Sequence, residues 1–304
     1  MTSYTAFMQR QTRRQPFPNR AKETTAPAAK TLPQGLFYEA NYLAPKTKSA
    51  VLAELEGLRP IWEQRFSKSN PPPEGKENRQ LLRPVYWLGN WQFACLNYYH
   101  PPKGIEFRCV RGEAYPPALA AEVAKIESFV RANYTPRDLP RGWNLNTCLV
   151  NYYGAKEGDP GKWTDSARVG EHKDFEPGPV ASLSFGERAL FQFVASEGKQ
   201  AQSQVRLQMW LEDNSLQIFG GDKWKKHLFH RVQRVEDKDR FEYLKGFPGY
   251  RTRRINLTFR YVPDEHILPL AKFPPHLLED IKPYVTQLAE GGSAHFREAL
   301  SSVR

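Results

Sequence analysis

From Asn144 to Val262 the chain breaks into short β-prone runs separated by Gly, Asp, Asn and Pro: "NTCLVNYYG", "GEHKDF", "VASLSFG", "ALFQFVA", "VRLQMWLED", "SLQIFGG", "HLFHRVQRV" and "RRINLTFRYV". Runs of this length, rich in β-branched and aromatic residues and bounded by turn formers, read as strands. Eight of them in one stretch leave few ways to close a core. A double-sheet jelly roll is expected, that is, a double-stranded β-helix which flanking helices make an α+β fold.

The helices are foreseen on both sides of this block. After a short strand in "GLFYEANYL", the apolar residues Val51, Leu52, Leu55 and Leu58 recur at helical spacing. A second helix is expected through "PPALAAEVAKIESFVRANY", with Pro116 and Pro117 at its start. Two more are expected within "HLLEDIKPYVTQLAEGGSAHFREALSSVR". The expected organisation is a basic N-terminal arm over residues 1–31, a β-rich domain over 32–265 and a helical extension over 266–304.

Composition excludes several classes. No stretch approaches the roughly 20 apolar residues that span a bilayer, and "MTSYTAFMQRQTRRQPFPNR" lacks the apolar centre of a secretory signal, so a cytoplasmic protein without a membrane partner is expected. Cys95, Cys109 and Cys148 are too few and too far apart for a disulfide framework or a zinc site. The formal charge of +11 favours a polyanionic partner. Arg10, Arg13, Arg14, Arg20, Lys22 and Lys30 face a single acid, Glu23, among residues that cannot build a core. This segment reads as a basic arm, although a solvated tail of no consequence has the same composition. A monomer is expected.

The last strand poses a question. In "RRINLTFRY" the residues Ile255, Leu257 and Phe259 alternate with Arg254, Asn256, Thr258 and Arg260, so one face is apolar and the other polar. The polar face either points to water from an edge strand or lines a cavity that holds an anion, since guanidinium forks suit carboxylates. Upstream, "EHKDF" sets His172 and Asp174 two apart, which on a strand is one face. His230 lies on a later predicted strand, with His227 as its rival at the end of the basic "KWKKH" loop. Two imidazoles and one carboxylate with open positions form the facial triad of non-haem Fe(II) oxygenases. Such iron commonly works with 2-oxoglutarate, whose two carboxylates Arg254 and Arg260 would meet.

In this order the motifs resemble the AlkB family of Fe(II)/2-oxoglutarate-dependent dioxygenases. The elements are Asn151-x-Tyr153, His172-x-Asp174, a distal His230, and Arg254-x-Asn256 followed by Arg260. The resemblance covers about residues 35 to 262 and is strongest after 145. It implies that His172, Asp174 and His230 bind Fe(II), and that Asn151, Tyr153, Arg254, Asn256 and Arg260 hold 2-oxoglutarate, with Arg254 on the distal carboxylate. O2 is the other co-substrate. It also implies oxidative demethylation of alkylated nucleic acid, with release of formaldehyde, succinate and CO2. The alternatives are hydroxylation or demethylation of a protein or small molecule, and an inactive nucleic-acid-binding module.

Substrate contacts are expected from Glu176, two positions beyond Asp174, and from Trp87 or Trp91 as stacking platforms. A surface glutamate and two core tryptophans would leave the same traces. Two departures from the family stand out. "GAKEGDPGKWTDSARVG" lengthens the segment between Asn151 and His172, and "YWLGNWQFACLNYY" keeps the aromatics of a base-recognition lid without matching it closely.

Overall fold

The structure, a computed structural model, describes residues 32–65, 74, 79–92, 109–165, 168–195, 203–233 and 244–303. The expected basic arm and the segment 93–108 lie outside them. All eight expected strands form. In chain order the main elements are β1 (Leu36–Glu39), α1 (Pro45–Gly57), β2 (Val85–Trp91), α2 (Pro117–Asn133), β3 (Thr147–Glu157), β4 (Val169–His172) and β5 (Val180–Gly186). They continue with β6 (Ala189–Ala195), β7 (Gln204–Leu211), β8 (Ser215–Phe219), β9 (Phe229–Gln233), β10 (Tyr250–Arg260), α3 (Pro275–Glu290) and α4 (Ala294–Ser301).

The large sheet has the order β1-β8-β5-β10-β3-β2 and is extended by the short strands Cys109–Arg111 and Ile267–Leu268. The small sheet has the order β7-β6-β9-β4. From β3 to β10 the chain crosses repeatedly between the two sheets, which is the jelly-roll path foreseen from the spacing of the runs.

Strand β10 is flanked on one side by β5 and on the other by β3, so the edge-strand reading of its polar face is excluded. Its apolar residues Ile255, Leu257 and Phe259 join one buried cluster with Val51 and Leu55 of α1 and with Leu119, Val123, Ile126 and Val130 of α2. The opposite face, with Arg254, Asn256, Thr258 and Arg260, looks into a cavity. Period-two alternation on a sheet covered on both faces therefore separates a helix-packed side from a functional side.

The C-terminal helices belong to the same compact unit, which spans Gln34–Arg304. Ile281, Val285 and Leu288 of α3 and Phe296 of α4 are buried in its apolar cluster. The residues expected as a helical extension, 266–304, lie within that unit, and Ile267–Leu268 pair with the large sheet before α3 begins at Pro275. The segment after Asn151 prolongs β3 to Glu157, which pairs with Trp163–Asp165 as a hairpin. Among the described residues no helix is long and apolar enough to cross a membrane.

The expectation for Trp91 is corrected here. Its side chain is fully buried, edge-on to Tyr284 at 6.2 Å and to Phe296 at 5.9 Å, and is not part of the cavity wall. Its Nε1 donates to Glu63 Oε1 at 3.0 Å, and Trp87 Nε1 donates to the same oxygen at 2.6 Å. A buried carboxylate thus binds both indoles, and Gly89 between them, at φ 78°, marks where β2 passes from pairing with β3 to pairing with Cys109–Arg111. Trp91→Phe removes one buried hydrogen bond and is expected to cost about 1–3 kcal/mol of stability. A urea titration measures this, and divalent-metal affinity should stay unchanged.

Candidate active site

Strands β9 and β4 are antiparallel neighbours whose register sets His230 directly opposite His172. The two rings lie 4.1 Å apart, centre to centre. Strand β4 ends at His172, so Asp174 is not held by strand alternation as the sequence suggested. Arg260 of β10 holds it instead, with Nε donating to Oδ1 at 2.8 Å and Nη2 at 2.7 Å from the same oxygen. Asp174 Oδ2 lies 3.4 Å from His230 Nε2. One donor atom from each of His172, Asp174 and His230 falls within 4.8 Å of the others. The rival His227 ends the turn Lys223–His227 and is exposed.

The electrostatics prepare these groups as ligands. Burial lowers the proton affinity of both imidazoles; for His230 the neighbouring His172 adds to the effect. Burial alone would raise the Asp174 carboxyl, but Arg260, then His230, Lys225 and His172, hold it well below the usual carboxylate range. The site therefore offers two neutral imidazoles and one carboxylate, the state in which a divalent cation binds. His172 Nδ1 is 2.8 Å from the Gly170 carbonyl. A proton on Nδ1 satisfies that oxygen and leaves the Nε2 lone pair for a metal.

Away from the metal donors the cavity wall is built in rows by the sheet register. Arg254 pairs with Tyr153 and Gly186, Asn256 with Asn151 and Ser184, and Thr258 with Leu149 and Ser182. Arg254 Nη2 donates to Ser184 Oγ at 3.0 Å, and its guanidinium lies 5.0 Å from the Tyr153 ring. Asn256 Nδ2 donates to Ser182 Oγ at 2.8 Å. Asn151, Tyr153, Arg254, Asn256 and Arg260 thus meet on one wall, with Trp87 and Glu176 in the same cavity. Glu176 is no surface residue: it is buried, with Oε2 3.6 Å from Arg260 Nε.

Sequence reasoning missed Arg83, Gln92 and Gln217, which also line the cavity. None carries a local signal, since each reaches the wall only through sheet register. Six residues of the lining each have a buried polar atom without a hydrogen-bond partner: Gln92 Oε1, Asp174 Oδ2, Glu176 Oε2, Gln217 Oε1, His230 Nδ1 and Arg254 Nε. Unmet polar groups are rare in protein interiors. Their concentration here, beside an N,N,O donor set and buried guanidinium groups, fits a divalent metal together with a polar anionic ligand.

Alanine at His172, Asp174 or His230 is expected to weaken Mn(II) binding by more than about a hundredfold, beyond the effect of losing an outer-shell partner. His227→Ala should bind as the wild type does; titration calorimetry decides between the two histidines. Because the folded imidazoles are held below their ordinary value, they stay neutral where an unfolded chain takes up protons. Their contribution to the stability of the metal-free protein is full above about pH 6.5 and is lost as the pH falls below it. Mn(II) affinity should accordingly change little from about pH 8 to about 6.5 and decline only in more acidic buffer.

Residues 35–260 match the 2OG-Fe(II) oxygenase superfamily. No curated protein matches the chain. Similar solved structures include OsALKBH1, with 18% identity over 76% of this chain and 100% of that one, and a TM-score of 0.42. A full-length Neurospora crassa protein, solved in complex with alpha-KG, has 14% identity over 76% of each chain and a TM-score of 0.39. A bsmA homolog from Methylobium petroleophilum PM1 has 11% identity over 76% of this chain and 89% of that one, and a TM-score of 0.37. Such distant likenesses decide nothing about the substrate. The superfamily match spans well over half of the chain and contains all three candidate metal donors, and the chain therefore belongs to the 2OG-Fe(II) oxygenases as an iron- and 2-oxoglutarate-dependent enzyme.

Proposed function

We propose that the enzyme oxidatively demethylates alkylated nucleic-acid bases. The observation that carries this reading is Glu176. Its carboxylate is buried in the same cavity as the metal donors, with Oε2 3.6 Å from Arg260 Nε and still without a hydrogen-bond partner. Such an acceptor suits the exocyclic amine of a base. The adjacent Phe175 lines the cavity yet is 45% exposed, an aromatic surface on which a planar base could rest.

In this reading His172, Asp174 and His230 hold the iron, while Asn151, Tyr153, Arg254 and Asn256 receive 2-oxoglutarate. Iron, 2-oxoglutarate and O2 supply the oxidising chemistry: an N-methyl carbon leaves as formaldehyde, the nitrogen regains a proton, and 2-oxoglutarate leaves as succinate and CO2. The protein's own part is placement. Arg260 keeps Asp174 ionised and directed at the metal, and the buried walls exclude bulk water from the reacting carbon. Glu176 sets which atom of the base faces the iron.

A panel of methylated oligonucleotides and nucleosides, read by mass spectrometry for loss of the methyl group, tests the proposal. Glu176→Ala should lower kcat/KM on the preferred base by about ten- to hundredfold, the effect of losing a hydrogen bond to a charged group, and Glu176→Gln should lose less. Removing residues 1–30, with their six basic side chains, should flatten the plot of log affinity against log salt by roughly 0.7–0.9 per lost phosphate contact. Succinate formation with a peptide or metabolite, and none with any oligonucleotide, would transfer the activity to that other substrate class.

A further inference from the structure

Arg83 precedes β2, and Val85, two residues on, pairs with Asn151. That register carries Arg83 alongside Tyr153, at the end of the cavity where Arg254 stands. Its Nε donates to Asn151 Oδ1 at 2.8 Å, and its guanidinium lies 4.9 Å from the Tyr153 ring, against 5.0 Å for Arg254. Two guanidinium groups thus share one phenol ring. The half-buried Arg83 lines the cavity, and the Asn151 bond is its one hydrogen bond among the described residues.

Among the described residues neither cation has a carboxylate within hydrogen-bonding distance there. Arg254 is buried and bonded to the Ser184 hydroxyl, with Nε unpartnered. The third arginine of the wall, Arg260, stands at the metal end on Asp174 and Glu176. Arg254 and Arg260 are six residues apart, roughly 20 Å of extended strand, so they serve opposite ends of the cavity. Two like charges over one ring, one of them buried, call for an anion between them.

We propose that Arg83 is the second guanidinium for the distal carboxylate of 2-oxoglutarate, acting with Arg254. Its Nε bond to Asn151 holds it in place and leaves its terminal nitrogens for the carboxylate. The inference rests on the assignment of Asn151, Tyr153 and Arg254 to the 2-oxoglutarate end of the cavity. It adds a cation that the arginine motif of β10 does not contain.

The test is direct binding to the full-length Mn(II)-loaded protein by titration calorimetry, which needs no turnover. The two probes are 2-oxoglutarate and 2-oxopentanoate, which keeps the five-carbon chain and the 2-oxo acid head but lacks the distal carboxylate. Arg83→Gln should weaken 2-oxoglutarate by about ten- to hundredfold and leave 2-oxopentanoate unchanged. Arg83→Lys should recover part of the loss, because it restores the charge without the planar fork. Unaltered 2-oxoglutarate affinity in Arg83→Gln overturns the proposal. So does an equal loss for both acids without recovery in Arg83→Lys, which marks a purely structural residue. A wild-type protein that takes up Mn(II) but neither acid overturns the co-substrate assignment itself, and Arg83 with it.

Discussion

A strand in the middle of a sheet that turns two arginines, an asparagine and a threonine inward has to find a partner for each of them. Strand β10 does this with Arg254 at 3%, Asn256 at 5% and Arg260 at 9% exposure, where an unpaired charge is costly. Arg260 is met by Asp174, Asn256 by the hydroxyls of Ser182 and Ser184, and Thr258 by Asn256 itself. Arg254 has the Ser184 hydroxyl, Tyr153 and the more distant charge of Glu187, while its Nε has no hydrogen-bond partner. Three of the four residues are met within the protein, and the fourth keeps an unpartnered Nε, which is why it is the one proposed to meet the co-substrate.

The same strand governs the metal donors, although it contributes none. Both histidines come from the small sheet, where register alone sets them face to face. Asp174 has left its strand and needs an anchor, and Arg260 reaches it from the large sheet. The ion pair ties the two sheets together at the point where the metal belongs, and it keeps the carboxylate charged while burial acts to neutralise it. Removing one partner of such a pair leaves a buried charge alone, which is commonly worse than lacking the pair. Arg260 is therefore as much a part of the metal site as of any ligand pocket.

What could be read from the sequence follows from how local each signal is. The eight strands carry their own alternation and turn residues, and His172-x-Asp174 and the β10 arginines are marked by short spacings that survive without knowledge of pairing, whereas the distal His230 has a rival in His227 that only the strand register removes. Arg83 has no such mark. It is one arginine before a proline, and its partner Asn151 lies 68 residues away, so only the β2–β3 register reveals it. The tryptophans of "WLGNW" show the complementary limit. Both are aromatic and close in sequence, yet Glu63 draws both indole N–H groups into one buried bond set while only Trp87 reaches the cavity. Glu176, equally consistent with a surface loop, turns out buried because the segment after Asp174 folds inward toward Arg260.

The distribution of charge in the cavity separates chemistry from selectivity. At one end Arg260, Asp174 and the neutral histidines form a set that a divalent cation completes. At the other, Arg254 and Arg83 form the cationic end proposed for the distal carboxylate. The same cavity also holds acceptors without a hydrogen-bond partner, Gln92 Oε1, Glu176 Oε2 and Gln217 Oε1. A ligand that meets acceptors has to bring donors, and neither a metal nor a dicarboxylate does. Under the proposed reading these acceptors await a third molecule that carries N–H groups, and Gln92 and Gln217, which among the described residues hydrogen-bond to neither the metal donors nor the arginines, are the positions where its identity can change.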